Sequence, residues 1–278
     1  MVIAAQLRDG RFLRDGANRR AGERAFWGVL ALAFAASSTV TIVWSSSMSA
    51  MGGMAMPGGW TMSMAWMRMP GQTWSAAAAS FLGMWVVMMV AMMLPSLLPM
   101  LRRYREAVGG AATPGLGRLT AIVGLGYFAV WTLFGVAAFP VGVALAALEM
   151  HAPLLSRAVP FAVGAVVLLA GLLQLTDWKA RQLACCREAP GCGRTLPPDA
   201  RSAWRHGLRL GAHCSRCCAG LMAILLCIGV MDLRAMAVVA AAITVERIAP
   251  GGARVARGTG AVFVGAGLFL VARAAGLG

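Results

Sequence analysis

The chain has 278 residues, of which 59% are hydrophobic and only 13% are charged, and its formal net charge is +15 at pH 7. The apolar residues form long runs separated by short arginine-bearing segments, a pattern that is typical of membrane helices and excludes an ordinary water-soluble domain. A basic chain also suits nucleic acid, but the arginines sort by predicted loop, which favours a membrane orientation instead. We therefore predict an all-α, polytopic integral membrane helix bundle with no nucleic-acid partner.

Seven apolar runs are predicted to cross the bilayer as helices, because lipid offers backbone polar groups no other partner. They are Phe26–Trp44, Ala76–Met100, Leu119–Leu145, Val159–Thr176, Cys214–Met231, Ala235–Val245 and Thr259–Arg273. If the N-terminus is cytoplasmic, only four arginines fall on the outer side of the membrane: Arg68, Arg157, Arg234 and Arg273. The positive-inside rule requires such an asymmetry. This asymmetry favours seven spans over six and a multi-pass protein of a bacterial-type inner membrane.

The predicted spans divide the chain into a head and one membrane domain. Residues 1–24 are basic and are expected to form a flexible cytoplasmic head, and residues 25–278 form the membrane domain. That domain carries a methionine-rich outer loop at residues 45–75 and a cysteine-bearing cytoplasmic loop at residues 177–213. The first apolar run follows a long arginine-rich segment, so we interpret it as an uncleaved anchor.

Methionine is concentrated in and after the outer loop, since fourteen of the nineteen methionines lie between Met48 and Met100. Glycine and proline interrupt the loop and leave little regular helix for packing. Soft thioether ligands favour Cu(I) over hard cations, so copper is the predicted metal. The candidate ligands in the loop are Met48, Met51, Met54, Met56, Met62, Met64, Met67 and Met69. The alternative is an interfacial belt formed with the loop tryptophans.

The second predicted span continues the methionine bias. Met84, Met88 and Met92 follow one another at a spacing of four residues and therefore share one helical face. A metal ion entering from the outer loop would meet this face next, which makes the three thioethers candidate ligands. Methionine is also an adaptable filler of irregular cores, so packing alone is the alternative.

The sequence His213-Cys214-Ser-Arg-Cys217-Cys218 is the most specific metal-site signal in the chain. On a helix the three cysteines share one face, so their soft donors converge. Met222 lies one turn further, His213 is a candidate fourth ligand, and Cys186 is a candidate from the preceding loop. Thiols on the cytoplasmic side stay reduced, so ligands are expected rather than disulfides. A thiol–disulfide exchange role for the cluster is the alternative.

Other features narrow the function further. Cys227 is expected in the core, while Asp232 and Glu246 are expected to pair with Arg234 and Arg247 at the membrane interfaces. No glycine-rich phosphate loop and no Ser/His/Asp arrangement is present, so we do not expect an enzyme.

The chain resembles the family of predicted metal-binding integral membrane proteins that includes membrane copper chaperones for tyrosinase-type polyphenol oxidases. The resemblance rests on MGGMAMPGGWTMSMAWMRMPGQTW, FLGMWVVMMVAMMLPSLLPM, LLQLTDWKARQLACCREAP, HCSRCCAGLM and IGVMDLRAMAVVAAAITVER. Members carry a Cys-Leu-x-x-Cys-Arg element, in which Gln182 stands here at the first cysteine position and Cys186-Arg187 keeps the second. This departure weakens a site at Cys185–Cys192 relative to the one at Cys214–Cys218.

Together these observations predict a copper-binding membrane protein, a Cu(I) chaperone or insertion factor that delivers copper to a client cuproenzyme. Its partners would be the lipid bilayer, the copper ion and that client. A copper transporter or exporter is the first alternative, and a membrane thiol–disulfide exchange protein is the second.

Overall fold

The computed structural model describes residues 2–50, 52–57, 59–63, 66–109, 113–188 and 195–276, with side chains from residue 20 onward. In this part of the chain there are eight helices and one two-stranded hairpin, so the all-helical prediction is confirmed. The elements are α1 (Val2–Ala50), β1 (Met54–Met56), β2 (Trp60–Met62), α2 (Trp74–Ala107), α3 (Leu116–His151), α4 (Pro153–Gln174), α5 (Asp177–Glu188), α6 (Ala200–Ile228), α7 (Leu233–Ile248) and α8 (Gly252–Ala274).

Six helical segments of the described chain are long and apolar enough to cross a membrane. They are Arg20–Ala50, Trp74–Ala107, Leu116–His151, Pro153–Gln174, Ala200–Ile228 and Gly252–Ala274. The seventh predicted span corresponds to α7, which has 16 residues. At 1.5 Å per residue α7 is about 24 Å long, short of the roughly 30 Å hydrocarbon core. The count of seven spans and the cytoplasmic N-terminus stay predictions.

Both predicted loops are shorter than the hydropathy pattern indicated. Helix α1 continues to Ala50, where Ser46 Oγ donates to the carbonyl of Ile42 at 2.7 Å and so satisfies its hydroxyl within the helix. The remainder of the methionine-rich loop folds partly into the hairpin, with Met54 paired to Met62. The head is helical from Val2 in backbone, and its flexibility stays a prediction.

The cysteine-bearing loop is also largely helical, because α5 occupies its first part and α6 begins at Ala200. The Asp199 carboxylate accepts a hydrogen bond from the backbone amide of Ser202 at 2.8 Å and so caps α6. The same bond is the main cause that lowers the pKa of Asp199. Cys214 therefore lies in the middle of a 29-residue helix rather than at its start.

Glycines let helices cross at short distance in two places. Helix α3 meets α6 at Gly126 and Gly207, where a side chain at Gly207 would overlap the backbone carbonyl of Val123. Close backbone contact of this kind is typical of helix pairs in membranes. A second such crossing joins α4 to α8 at Gly164, Gly171, Gly260 and Gly267. The first crossing brings Tyr127 of α3 against Cys214 of α6.

The bundle has two distinct ends, and the buried face of α2 runs between them. At the hairpin end, defined by β1, β2 and the start of α4, Trp60 Nε1 donates to the carbonyl of Ser156 at 3.0 Å. Ser156 Oγ in turn donates to the carbonyl of Pro57 at 3.0 Å. At the opposite end α5 packs against α4, α6, α7 and α8, and this α5 end holds Cys186, Cys214, Cys217 and Cys218.

Candidate metal centre

Three cysteines of α6 form the centre of the candidate site. Cys214, Cys217 and Cys218 are buried, with exposed fractions of 0%, 3% and 1%. The sulfur atoms of Cys214 and Cys218, one helical turn apart, are separated by 4.0 Å. The predicted shared face is therefore present in the structure, and it points into the bundle.

A fourth cysteine comes from α5. Cys186 is buried at 1% exposure, and its thiol interacts with that of Cys217. This hydrogen bond and burial together raise the pKa of Cys186 far above its usual value, so the free thiol is protonated. Cys217 also interacts with Cys218. The four thiols thus form a continuous row from Cys186 through Cys217 and Cys218 to Cys214, which we call the cysteine row.

Arg247 at the end of α7 contacts this row directly. Its Nη2 donates to Cys218 Sγ at 3.4 Å and its Nη1 to Ser96 Oγ at 3.4 Å. The side chain is only 4% exposed. At the other end of the row the Tyr127 hydroxyl lies 2.8 Å from Cys214 Sγ. Sequence reasoning did not include either residue in the site.

The predicted pairing of Glu246 with Arg247 is wrong. Glu246 instead forms a buried ion pair with Lys179 of α5, at 2.8 Å between Nζ and Oε2, and accepts from Gln174 Nε2 at 2.7 Å. Adjacent helix positions point about 100° apart, so the two side chains of α7 face different neighbours. Within the described chain no carboxylate lies within 4.0 Å of Arg247. A buried cation without an acidic partner therefore faces the cysteine row.

The acidic residue at the start of α7 also differs from its expected role. Asp232 Oδ1 accepts hydrogen bonds from the backbone amides of Arg234 and Ala235 at 2.8 and 2.9 Å. It caps the helix rather than pairing with the Arg234 side chain, because backbone amides of a first turn lack helical partners.

Lys179 holds α5, and with it Cys186, against the rest of the site. Besides its ion pair, its Nζ donates to the backbone carbonyl of Cys217 at 2.7 Å. Burial lowers the pKa of Lys179, but the neighbouring Cys217 and Glu246 outweigh it, so the pKa lies above its usual value. The sequence offered one signal that Lys179 has a special role, because it is the only lysine in an arginine-rich chain.

We expect Lys179→Met to destabilise the protein by about 3 kcal/mol, because it strands the Glu246 carboxylate in the interior. The double variant Lys179→Met/Glu246→Leu should recover most of that loss, since both charges are then absent.

Because the folded-state pKa of Lys179 is raised, the stabilisation that its charge gives is complete below its unfolded pKa of about 10.4 and is lost only as the pH rises through the folded-state value. Thermal unfolding in detergent at pH 7 measures the first effect, and a series from about pH 9 to about pH 12 measures the second. Equal melting temperatures for the single and double variants would contradict this role.

The remaining predicted ligands around the cysteines differ in placement. Met222 is buried on α6 one turn beyond Cys218. His213 is half-buried, and its Nδ1 has no hydrogen-bond partner in the described part of the chain. Gln182, one turn before Cys186, likewise has a buried Oε1 without a partner among the described residues. Cys192 lies outside the described residues.

Cys227 is not in the core as expected. It is exposed, because a spacing of nine residues from Cys218 turns it to the opposite face of α6. Cys185 is exposed as well, next to buried Cys186.

The predicted methionine ligands fall into several groups. Met48, Met67, Met69 and Met84 line one cavity. Met88 and Met92 continue inward from Met84 and are buried. Met56 and Met62 pack with Ala146 in a separate small core, and Met54 is exposed. Met51 and Met64 lie outside the described residues. Whether any of them binds metal stays a prediction.

The described side chains include no group of three or more His, Cys, Asp or Glu that already converges as a metal site. The cysteine row instead brings sulfurs together pairwise, which is the minimum that a two-coordinate Cu(I) ion needs. Thiolates are among the soft ligands that Cu(I) prefers, and they suit it better than any hard divalent cation. The donor set therefore fits copper in its monovalent state.

The family model described as PpoB2, a copper chaperone, matches residues 82–270, which is more than half of the chain. The chain belongs to the PpoB2 copper chaperone family. Neither a curated protein nor a solved structure matches it. The PpoB2 match covers the cysteine row, Lys179 and Arg247, and begins after the methionine-rich loop. The resemblance to copper chaperones is thereby confirmed, and membership of PpoB2 implies copper and a client protein as partners.

Proposed function

We propose that this chain is a Cu(I) chaperone that holds copper on the cysteine row and passes it to a client cuproenzyme at a bacterial-type inner membrane. The observation that carries the proposal is a row of four buried thiols, one of which, Cys218, accepts a hydrogen bond from Arg247 at 3.4 Å, a buried cation with no carboxylate within 4.0 Å in the described chain. Family membership supports copper as the cargo.

Charge balance favours the monovalent ion. Two thiolates and one Cu(I) carry a net charge of −1, which the Arg247 guanidinium neutralises. Two thiolates and a divalent ion are already neutral, so Arg247 would remain an uncompensated charge in a medium where such charges are costly. The described sulfurs converge only in pairs, fewer than the four ligands that a structural Zn(II) ion takes, so the charge of the site matches Cu(I) more closely than Zn(II).

The row also supports transfer without covalent catalysis. Each thiol interacts with the next, so an ion held by two of them can exchange one ligand at a time along the row. Cys186 is the terminal thiol of the cysteine row. It lies on the short helix α5, whereas the other three thiols lie on α6. No bond to carbon is made or broken, and no catalytic residue is required.

Copper transfer distinguishes a chaperone from a transporter. We expect the purified protein, loaded with Cu(I) under reducing conditions, to activate an added apo-tyrosinase-type polyphenol oxidase. The same protein in proteoliposomes should produce no net copper flux. Empty liposomes and free Cu(I) buffered by a chelator are the controls. Flux across the membrane without activation of the apoenzyme would favour the transporter alternative and overturn the chaperone function.

A further inference from the structure

A cavity of about 90 Å³ lies at the hairpin end, between α1, the loop before α2, α2 and the turn from α6 to α7. Five methionines from these separate segments line it: Met48, Met67, Met69, Met84 and Met231. Gln72 and Ser80 also line the cavity, and no charged residue does. Met69 is 39% exposed, so the cavity is accessible from the surface. Met231 is far from the methionine-rich loop in sequence.

We propose that this methionine cavity is the entry site for Cu(I), and that copper passes from it along α2 to the cysteine row. The proposal rests on the proposed function and adds a second site and a direction. Thioethers are neutral soft donors, and one alone binds Cu(I) weakly, so a site needs several sulfurs from different segments around one space. The methionine cavity provides that arrangement.

The two sites are joined by one face of α2. Met84 lines the cavity, Met88 and Met92 follow at four-residue spacing, and all three are buried. The next position on that face is Ser96, which accepts a hydrogen bond from Arg247 at 3.4 Å. Ser96 follows Met84 by twelve positions, which is about 18 Å along the helix. The thioether face therefore ends at Ser96, and Arg247 donates hydrogen bonds to both Ser96 and Cys218.

The change of ligand along this path sets the direction. Neutral thioethers hold a monovalent ion less tightly than thiolates that also interact with a cation. Copper bound in the methionine cavity is thus drawn toward the cysteine row, and the reverse step is unfavourable.

The first experiment isolates the methionine cavity. In Cys214→Ser/Cys217→Ser/Cys218→Ser protein, we expect one equivalent of Cu(I) to remain with thioether ligation by X-ray absorption. Adding Met67→Leu/Met231→Leu should remove it, whereas the matched pair Met150→Leu/Met236→Leu should not, since neither of those two methionines lines the cavity. Leucine conserves side-chain volume, so both pairs should fold.

The second experiment keeps the cysteines and remains decisive if the serine protein fails to fold. Met67→Leu/Met231→Leu in the native chain should load the cysteine row at least about tenfold more slowly and reach the same final copper content. Retention of the native loading rate, or loss of all copper in the serine protein, would overturn the entry site but leave the chaperone function intact. A native chain that binds no Cu(I) would overturn both.

Discussion

Arg247→Gln is expected to lower the affinity for Cu(I) about 100-fold, equivalent to about 3 kcal/mol, without loosening the helical bundle. Glutamine keeps a hydrogen-bond donor near Ser96 but removes the positive charge beside Cys218. The anionic copper–thiolate group then loses the counter-charge that contacts Cys218 directly, and stranding one partner of a buried pair is costly. Zn(II) with two thiolates is neutral, so its binding should weaken much less.

Competition with a Cu(I) chelator under reducing conditions measures the first effect, and zinc binding to the same preparations measures the second. The control is Arg234→Gln, which removes an exposed arginine near the other end of α7. The melting temperature of metal-free Arg247→Gln protein should be no lower than that of the native chain, because the substitution removes an unpaired buried charge. A parallel fall in Cu(I) and Zn(II) affinity would contradict the charge-balance argument.

Cys214→Ser/Cys217→Ser is expected to abolish tight Cu(I) binding, reducing the copper retained after chelator washing to less than about a tenth of the native content. The double substitution leaves Cys186 and Cys218 without a neighbouring thiol in the cysteine row, so no pair of sulfurs remains to hold the ion. A hydroxyl is a hard donor that does not replace a thiolate toward Cu(I). The effect on folding should be small, since serine is close in shape and has helical carbonyls within reach.

Copper content after chelator washing, with protein mass by amino-acid analysis, provides the measurement. Cys227→Ser on the outward face of α6 and Cys185→Ser on α5 are matched controls, and both should retain the native load. If the Cys214→Ser/Cys217→Ser protein also keeps its copper, the cysteine row is not the holding site, and the methionines become the stronger candidates.

Features that depend on local sequence were predictable here. Cys214, Cys217 and Cys218 share a face because helix geometry alone places them there, and Met84, Met88 and Met92 are buried together for the same reason. The family resemblance followed from motifs that lie mostly within the matched residues.

Features that depend on tertiary packing were not predictable. The pairing of Lys179 with Glu246 requires α5 to fold against α7, which neither segment indicates by itself. The same packing separates Arg247 from Glu246 and directs it to Cys218. Hydropathy placed the start of the fifth span at Cys214 because arginines precede it, yet exposed arginines on a capped helix do not end that helix. Met231 went unnoticed because its neighbours in the cavity come from distant parts of the chain.

The burial of Arg247 has a consequence for how the site responds to its surroundings. With only 4% of the side chain exposed, dissolved ions cannot approach the guanidinium, and Debye screening, which weakens surface charges within about 8 Å at physiological salt, acts on it very little. Its field on the neighbouring sulfurs is therefore set by the fold and not by the electrolyte. The proposed preference for a singly charged cargo is therefore expected to belong to the protein itself and to persist as the salinity of the medium changes.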